Sequence, residues 1–183
     1  MKLTDVTLPL TAEMINKAGS TEIKVFSGHA GTHFDVMNKV FPLEYAERKG
    51  YIFEAEGLDE IDLSNIDADR VNEGMFIGFH TGFIEKAGYG TAEYHHQHPQ
   101  LSRKLIEFLV ERKVSIIGID FAGARRGKEH SQCDQYCTDH GVFIVENLCN
   151  LRDTVNKEVT VWTFPLNLKG SSGLPCRVLI KGD

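Results

Sequence analysis

Two histidines and an aspartate stand close together in SGHAGTHFDVMNKVFP, residues 27–42: His29, His33 and Asp35, with a Gly-Thr pair between the histidines. All three are metal-ligating types. On an extended segment His33 and Asp35, two positions apart, point to the same side. Gly31 and Thr32 are poor helix formers, which disfavours a helical alignment of His29 with His33. A tight turn at Gly31 would instead fold His29 back beside His33. Two imidazoles and one carboxylate facing one point make a three-ligand site with positions left for water and substrate, the pattern of catalytic zinc-type centres. Each histidine taken singly reads better as an ordinary core or surface residue. As a cluster, the metal reading and the ordinary reading stand level.

The elements that must position this stretch are mostly strands. Residues 3–10 alternate, and 51–57, 75–79, 141–146, 159–166 and 175–180 carry further strand signals. VSIIGIDF, residues 114–121, is almost continuously apolar, as in a buried strand. The clearest helix is predicted over residues 98–113. Pro99 stands near its start, Leu101, Leu105, Phe108 and Leu109 follow helical spacing, and Arg112 and Lys113 suit the last turn. Shorter helices are expected over 42–49 and 129–139. Many strands and few helices make a mixed α/β fold, in one domain over residues 1–183.

Composition narrows the function classes. The chain has 183 residues, 42% hydrophobic and 25% charged, ordinary for a globular domain with a substantial core. A net charge of -6 with no Lys/Arg cluster argues against nucleic acid or an anionic membrane as partner. No apolar run approaches the roughly 20 residues that span a bilayer. MKLTDVTLPLTAEM does not read as a signal peptide, so a cytoplasmic location is expected. Cys133, Cys137, Cys149 and Cys176 are then expected as reduced core thiols. His130, Cys133, Cys137 and His140 imitate a zinc pattern. On one helix, however, they form a stripe of about three turns and do not converge on one ion.

HAGTHFD resembles the H-x-G-T-H-x-D signature of the cyclase family of metal-dependent hydrolases, which includes kynurenine formamidase and isatin hydrolase. LTDVTLPLTAEM is similar to that family's opening, FHTGF (79–83) to an internal strand ending in Thr-Gly, and HPQLS and IIGIDFAG to the helix start and strand that follow. GVFIVENLCNL resembles its G-I-x-I-x-E-N-L-x-N-L motif, and FPLNLKGSSGLPCRV its closing P-L-x-L-x-G-x-x-G-x-P-x-R. The resemblance implies a β/α domain in dimers or larger homo-oligomers. It implies hydrolysis of a small amide, lactam or ester by metal-activated water, with His29, His33 and Asp35 as ligands.

The chain departs from the family pattern at three positions. The signature usually continues D-x-P-x-H, where this chain has Met37 and Lys39. Family members with two ions usually carry a histidine twelve residues before the motif Glu, where this chain has Asp134. A protonated lysine has no lone pair to ligate a metal. Lys39 is therefore expected either among Asp35, Asp134 and Glu146 in place of the second cation, or in solvent. The first reading leaves one divalent ion, zinc or manganese. Glu146 is the expected proton-transfer group, the alternative being a salt bridge at a strand end. His80 is a candidate substrate contact, and Arg125 and Arg126 would either attract a carboxylate or be solvated. His95, His96 and His98 read as loop or surface residues. The competing function is a degenerate family member that binds a small molecule without turning it over.

Overall fold

The computed structural model describes residues 3–11 and 27–182. In chain order its strands and α-helices are β1 (Leu3–Asp5), β2 (His33–Asp35), β3 (Glu47–Glu54), β4 (Glu60–Ile61), β5 (Phe76–His80), α1 (Phe83–Ala87), α2 (Ala92–His96), β6 (Gln100–Leu101), α3 (Arg103–Glu111), β7 (Ile116–Ile119), α4 (His130–Asp139), β8 (Phe143–Glu146), β9 (Glu158–Pro165) and β10 (Gly173–Gly182).

Strands pair in the order β2-β8-β7-β5-β3-β9-β10, and β10 pairs with β2, so the sheet closes into a barrel of seven strands. β1 joins β10 farther along. β3, β5, β7 and β8 run parallel, and the other ring pairings are antiparallel. Parallel neighbours need crossover connections. α1, α2 and α3 lie in the crossover from β5 to β7, and α4 in that from β7 to β8. The result is the mixed α/β fold expected from the sequence.

Strand alternation sorts the side chains onto two faces. Phe34, Phe76, Ile116, Phe143, Val145, Val178 and Ile180 pack together inside the ring. Ile77, Phe79, Ile117, Ile119 and Ile144 face outward and pack with Leu105, Ile106 and Leu109 of α3 and with Cys133 and Cys137 of α4. Each such fully buried side chain contributes about 1.5–3 kcal/mol by removal from water. The interior is tight: a Cβ on Gly118 would lie 2.3 Å from Phe76 Cζ, and one on Gly78 2.5 Å from Ile52 Cδ1. The same alternation arranges the candidate site. Phe34 points in, so His33 and Asp35 point out; Val145 points in, so Glu146 points out. His33 and Glu146 are register partners on adjacent strands, side by side on the outer face.

Several elements differ from the sequence reading. The strand expected over residues 3–10 stops at Asp5, with an isolated bridge from Thr7 to Leu148. Residues 12–14 of the family-like opening lie outside the described residues. Residues 42–49 make only a 3-10 turn, Leu43–Ala46, before β3 begins at Glu47. The helix expected over 98–113 begins at Arg103. Gln100 and Leu101 pair with β4 instead, and Ser102 caps the helix, its hydroxyl accepting from the Leu105 amide. α2 forms where the sequence reads as loop, and His98 beyond it is buried, stacked on Phe121 with its Nδ1 2.7 Å from the Pro99 carbonyl. All four cysteines are free and buried.

Candidate metal centre

The loop ahead of β2 bends where its glycines allow. Gly31 takes φ 69°, a left-handed conformation that glycine enters without steric cost. His29 folds back, its ring centroid 4.9 Å from that of His33. Gly28 passes so near β10 that a Cβ there would stand 2.0 Å from the Gly173 carbonyl oxygen. That close passage ties the loop to the closing motif, where the Ser172 hydroxyl lies 2.9 Å from His29 Nε2.

Three donors converge at the end of this loop. His29 Nδ1 lies 2.9 Å from Asp35 Oδ1 and 3.1 Å from His33 Nε2, and His33 Nε2 lies 3.6 Å from Asp35 Oδ1. His33 Nδ1 donates to the Gly31 carbonyl at 2.8 Å. A carbonyl only accepts, so the proton is assigned to Nδ1 and Nε2 is the nitrogen presented to the other donors.

A second set adjoins the first. His130 opens α4, and Asp134 follows one turn later on the same face. His130 Nε2 lies 3.1 Å from Glu146 Oε1 and 3.3 Å from Asp134 Oδ2. Asp35, His130, Asp134 and Glu146 each bring a ligand atom within 4.8 Å of the others, and Asp35 belongs to both sets. Glu146 Oε2 reaches toward the first set, 3.8 Å from His33 Nε2. Gly123 makes room for His130: a Cβ there would lie 2.9 Å from the ring's Cε1.

The electrostatics leave a cation wanting. Asp35, Asp134 and Glu146 are all buried. Among the described residues, Asp35 Oδ2 and Asp134 Oδ1 are buried with no hydrogen-bond partner, an arrangement that is costly for a carboxylate unless a cation compensates it. Burial, and then the Asp35 charge, push Glu146 well above the usual carboxylate range. Asp134 rises for the same two reasons in the same order. Burial also works against the charges of His33 and Asp35, yet the pair overcomes it. His33, with His29, holds Asp35 far below its ordinary value, while Asp35 and then Glu146 lift His33 to about 9. Imidazole nitrogens, carboxylate oxygens and two unpaired buried oxygens fit a divalent ion.

The sequence matches the Cyclase family, described as "Putative cyclase", over residues 4–124. The chain belongs to that family. Solved structures share the cyclase fold. A potential metal-dependent hydrolase with cyclase activity superposes with TM-score 0.77 at 23% identity, covering 98% of this chain and 96% of its own. A predicted metal-dependent hydrolase from Bacillus stearothermophilus gives TM-score 0.77 at 22% identity, covering 98% and 97%. Isatin hydrolase A from Ralstonia solanacearum gives TM-score 0.74 at 18% identity, covering 98% and 91%. No curated protein matches the chain at significance by sequence.

Against this cyclase scaffold, Lys39 requires a correction. It does not enter the centre. The chain turns sharply after β2: Met37 takes φ 54°, and the Lys39 amide donates to the Val36 carbonyl at 2.8 Å. The side chain ends at the surface, 38% exposed, with its ammonium 2.6 Å from Asp139. Asp134 and Glu146 meet His130 instead. In the sequence, His130 reads only with Cys133, Cys137 and His140. The readable signal was its i, i+4 relation to Asp134, four residues along one helical face.

His80 also lies apart from the metal donors. It is buried at the end of β5, with Nδ1 2.9 Å from Glu54 Oε1, and lines an open pocket of about 550 Å³ with Asp5, Gly82, Glu85 and Arg152. Arg125 is held by Glu129 and Glu60 and largely covered, while Arg126 pairs with Asp59 at the surface. Asp120 is buried and accepts from the Thr81 and Gly82 amides and the Thr81 hydroxyl, fixing the turn into α1.

Proposed function

We propose that the chain hydrolyses the C–N bond of a small amide or lactam, or a related ester, at a centre of two divalent cations. One observation carries this reading: Asp35 Oδ2 and Asp134 Oδ1 are orphaned inside a buried set of nitrogen and oxygen donors. His29, His33 and Asp35 Oδ1 would hold one ion. Asp35 Oδ2, His130, Asp134 and Glu146 would hold the other, with Asp35 shared. The expectation of a single ion rested on Lys39 as the second cation, and Lys39 pairs with Asp139. Zinc and manganese both suit these ligands. Family membership and the fold shared with isatin hydrolase A support an amide or lactam as substrate.

The bound ions would supply Lewis acidity, polarising a carbonyl and acidifying water. The chain's own residues divide the remaining work. His29 and His130 are the half-exposed members, with side chains 28% and 34% exposed, and form the rim that substrate meets. His33, Asp35 and Asp134 close the buried side. Glu146 spans the two sets, Oε1 toward His130 and Oε2 toward His33. It is the group that takes the proton of the attacking water and returns it to the leaving nitrogen. A carboxylate within reach of both donor sets is placed for both transfers. We also propose that the chain works as a homo-oligomer; Val40 and Leu43, 89% and 84% exposed, support an apolar contact between copies.

The test strips the protein with chelator, restores zinc or manganese, and measures turnover of a panel of formamides, lactams and esters. Metal-dependent turnover of at least one compound is expected. Glu146→Gln should lower it about 10²-fold while the fold is kept. Full metal uptake with no turnover across the panel would favour a non-catalytic binder.

A further inference from the structure

The ligand His33 is held from behind by residues distant in sequence. Its Nδ1–H donates to the Gly31 carbonyl at 2.8 Å. The same carbonyl accepts Asn147 Nδ2–H at 2.8 Å. Asn147 stands beside Glu146 in a left-handed conformation, φ 59°, which asparagine tolerates better than most residues. Its backbone carbonyl accepts from the Thr32 hydroxyl at 2.7 Å, so it grips the loop twice. Because the Gly31 oxygen can only accept, the Asn147 amide must turn its NH₂ toward it and its Oδ1 away. Oδ1 then meets the hydroxyl of Tyr94, which donates at 2.6 Å.

Tyr94 is fully buried on α2. Its ring packs against Phe83 and Tyr89 with centroids 5.9 and 5.7 Å away. A phenylalanine would fill that space equally well. The hydroxyl is therefore the informative part, and it points at the chain of bonds behind His33.

We infer that Tyr94 is a positioning residue for the cation-binding face of His33, acting through Asn147 and the Gly31 carbonyl. The inference rests on the metal-centre reading above. A neutral imidazole carries its proton on one nitrogen only. The Gly31 carbonyl keeps that proton on Nδ1 and leaves the Nε2 lone pair facing the donors. Tyr94 orients the Asn147 amide, and the amide keeps the carbonyl aimed at His33. With the phenol removed, the amide loses its preferred direction, the carbonyl relaxes, and the ring and its proton are less well fixed.

The experiment compares wild type with Tyr94→Phe. Zinc affinity is read by competition with a chromophoric chelator. In zinc-loaded protein, the solvent exchange of the His33 Nδ1–H is read by NMR. Tyr94→Phe should bind zinc about 10–100-fold more weakly, the usual size of an outer-layer effect on a metal ligand, and its imino proton should exchange faster. Melting of the metal-free protein reports packing separately. Wild-type affinity and wild-type exchange in Tyr94→Phe would overturn the inference, whatever the melting temperature. Should Tyr94→Phe fail to fold, Asn147→Asp decides in its place: it keeps the shape but turns an acceptor toward the Gly31 carbonyl, and unchanged zinc affinity there would overturn the inference equally. A wild-type protein that takes up no zinc overturns the metal reading itself, and this inference with it.

Discussion

His33 is buried beside two carboxylates, and its proton answers to both. Burial opposes the imidazolium, Asp35 and Glu146 favour it, and the balance lifts the group to about 9. In an unfolded chain the value is about 6.5. The folded value is the higher one, so in metal-free protein this pair stabilises fully below about pH 6.5. The stabilisation is lost as pH rises toward 9. Melting of metal-free wild type should therefore decline between those limits more steeply than that of His33→Gln, and parallel curves would contradict the assignment. Cation binding shows the other side of the same linkage. Below about pH 9 an entering ion must displace the His33 proton, so apparent affinity should strengthen as pH is raised. The convergence of His29, His33 and Asp35 was legible at this scale, because His33 and Asp35 alternate along a strand and Gly31 permits the turn. Lys39 was not legible: its course depends on the left-handed turn at Met37, which no side-chain type announces.

The elements succeed or fail on what each buries. The apolar run of β7 was readable because both of its faces are covered, Ile116 inside the barrel and Ile117 under the helices. Residues 98–113 misled because Pro99 is acceptable both in a first helical turn and ahead of a short strand. Only the pairing of Gln100 and Leu101 with β4 decides between them. α4 is legible in the sequence, while its His130–Asp134 face, which meets Glu146, is masked by the zinc-like spacing of His130, Cys133, Cys137 and His140. Barrel closure gives an element-scale prediction. Gly118→Ala puts a methyl 2.3 Å from Phe76 Cζ in a filled interior. It should destabilise by about 1–3 kcal/mol, the usual cost of overpacking, measured by urea unfolding. Because Gly118 faces inward and the metal donors face outward, metal stoichiometry should be unchanged.

Across the whole molecule, the barrel sets β2 and β8 side by side, and the crossover from β7 brings α4 over their outer faces. Donors from residues 29–35, 130–134 and 146 thereby meet at one place. The sequence motifs identified the first and last groups. The middle one depends on where a helix lands on the sheet, which is a property of the assembled fold. Among the described residues no helix is long and apolar enough to cross a membrane. Elemental analysis of protein purified without chelator, wild type beside His130→Ala, tests the account most directly. Two tightly held divalent ions per wild-type chain and one per His130→Ala chain are predicted. A wild type with no bound ion, or a count that His130→Ala leaves untouched, would contradict it.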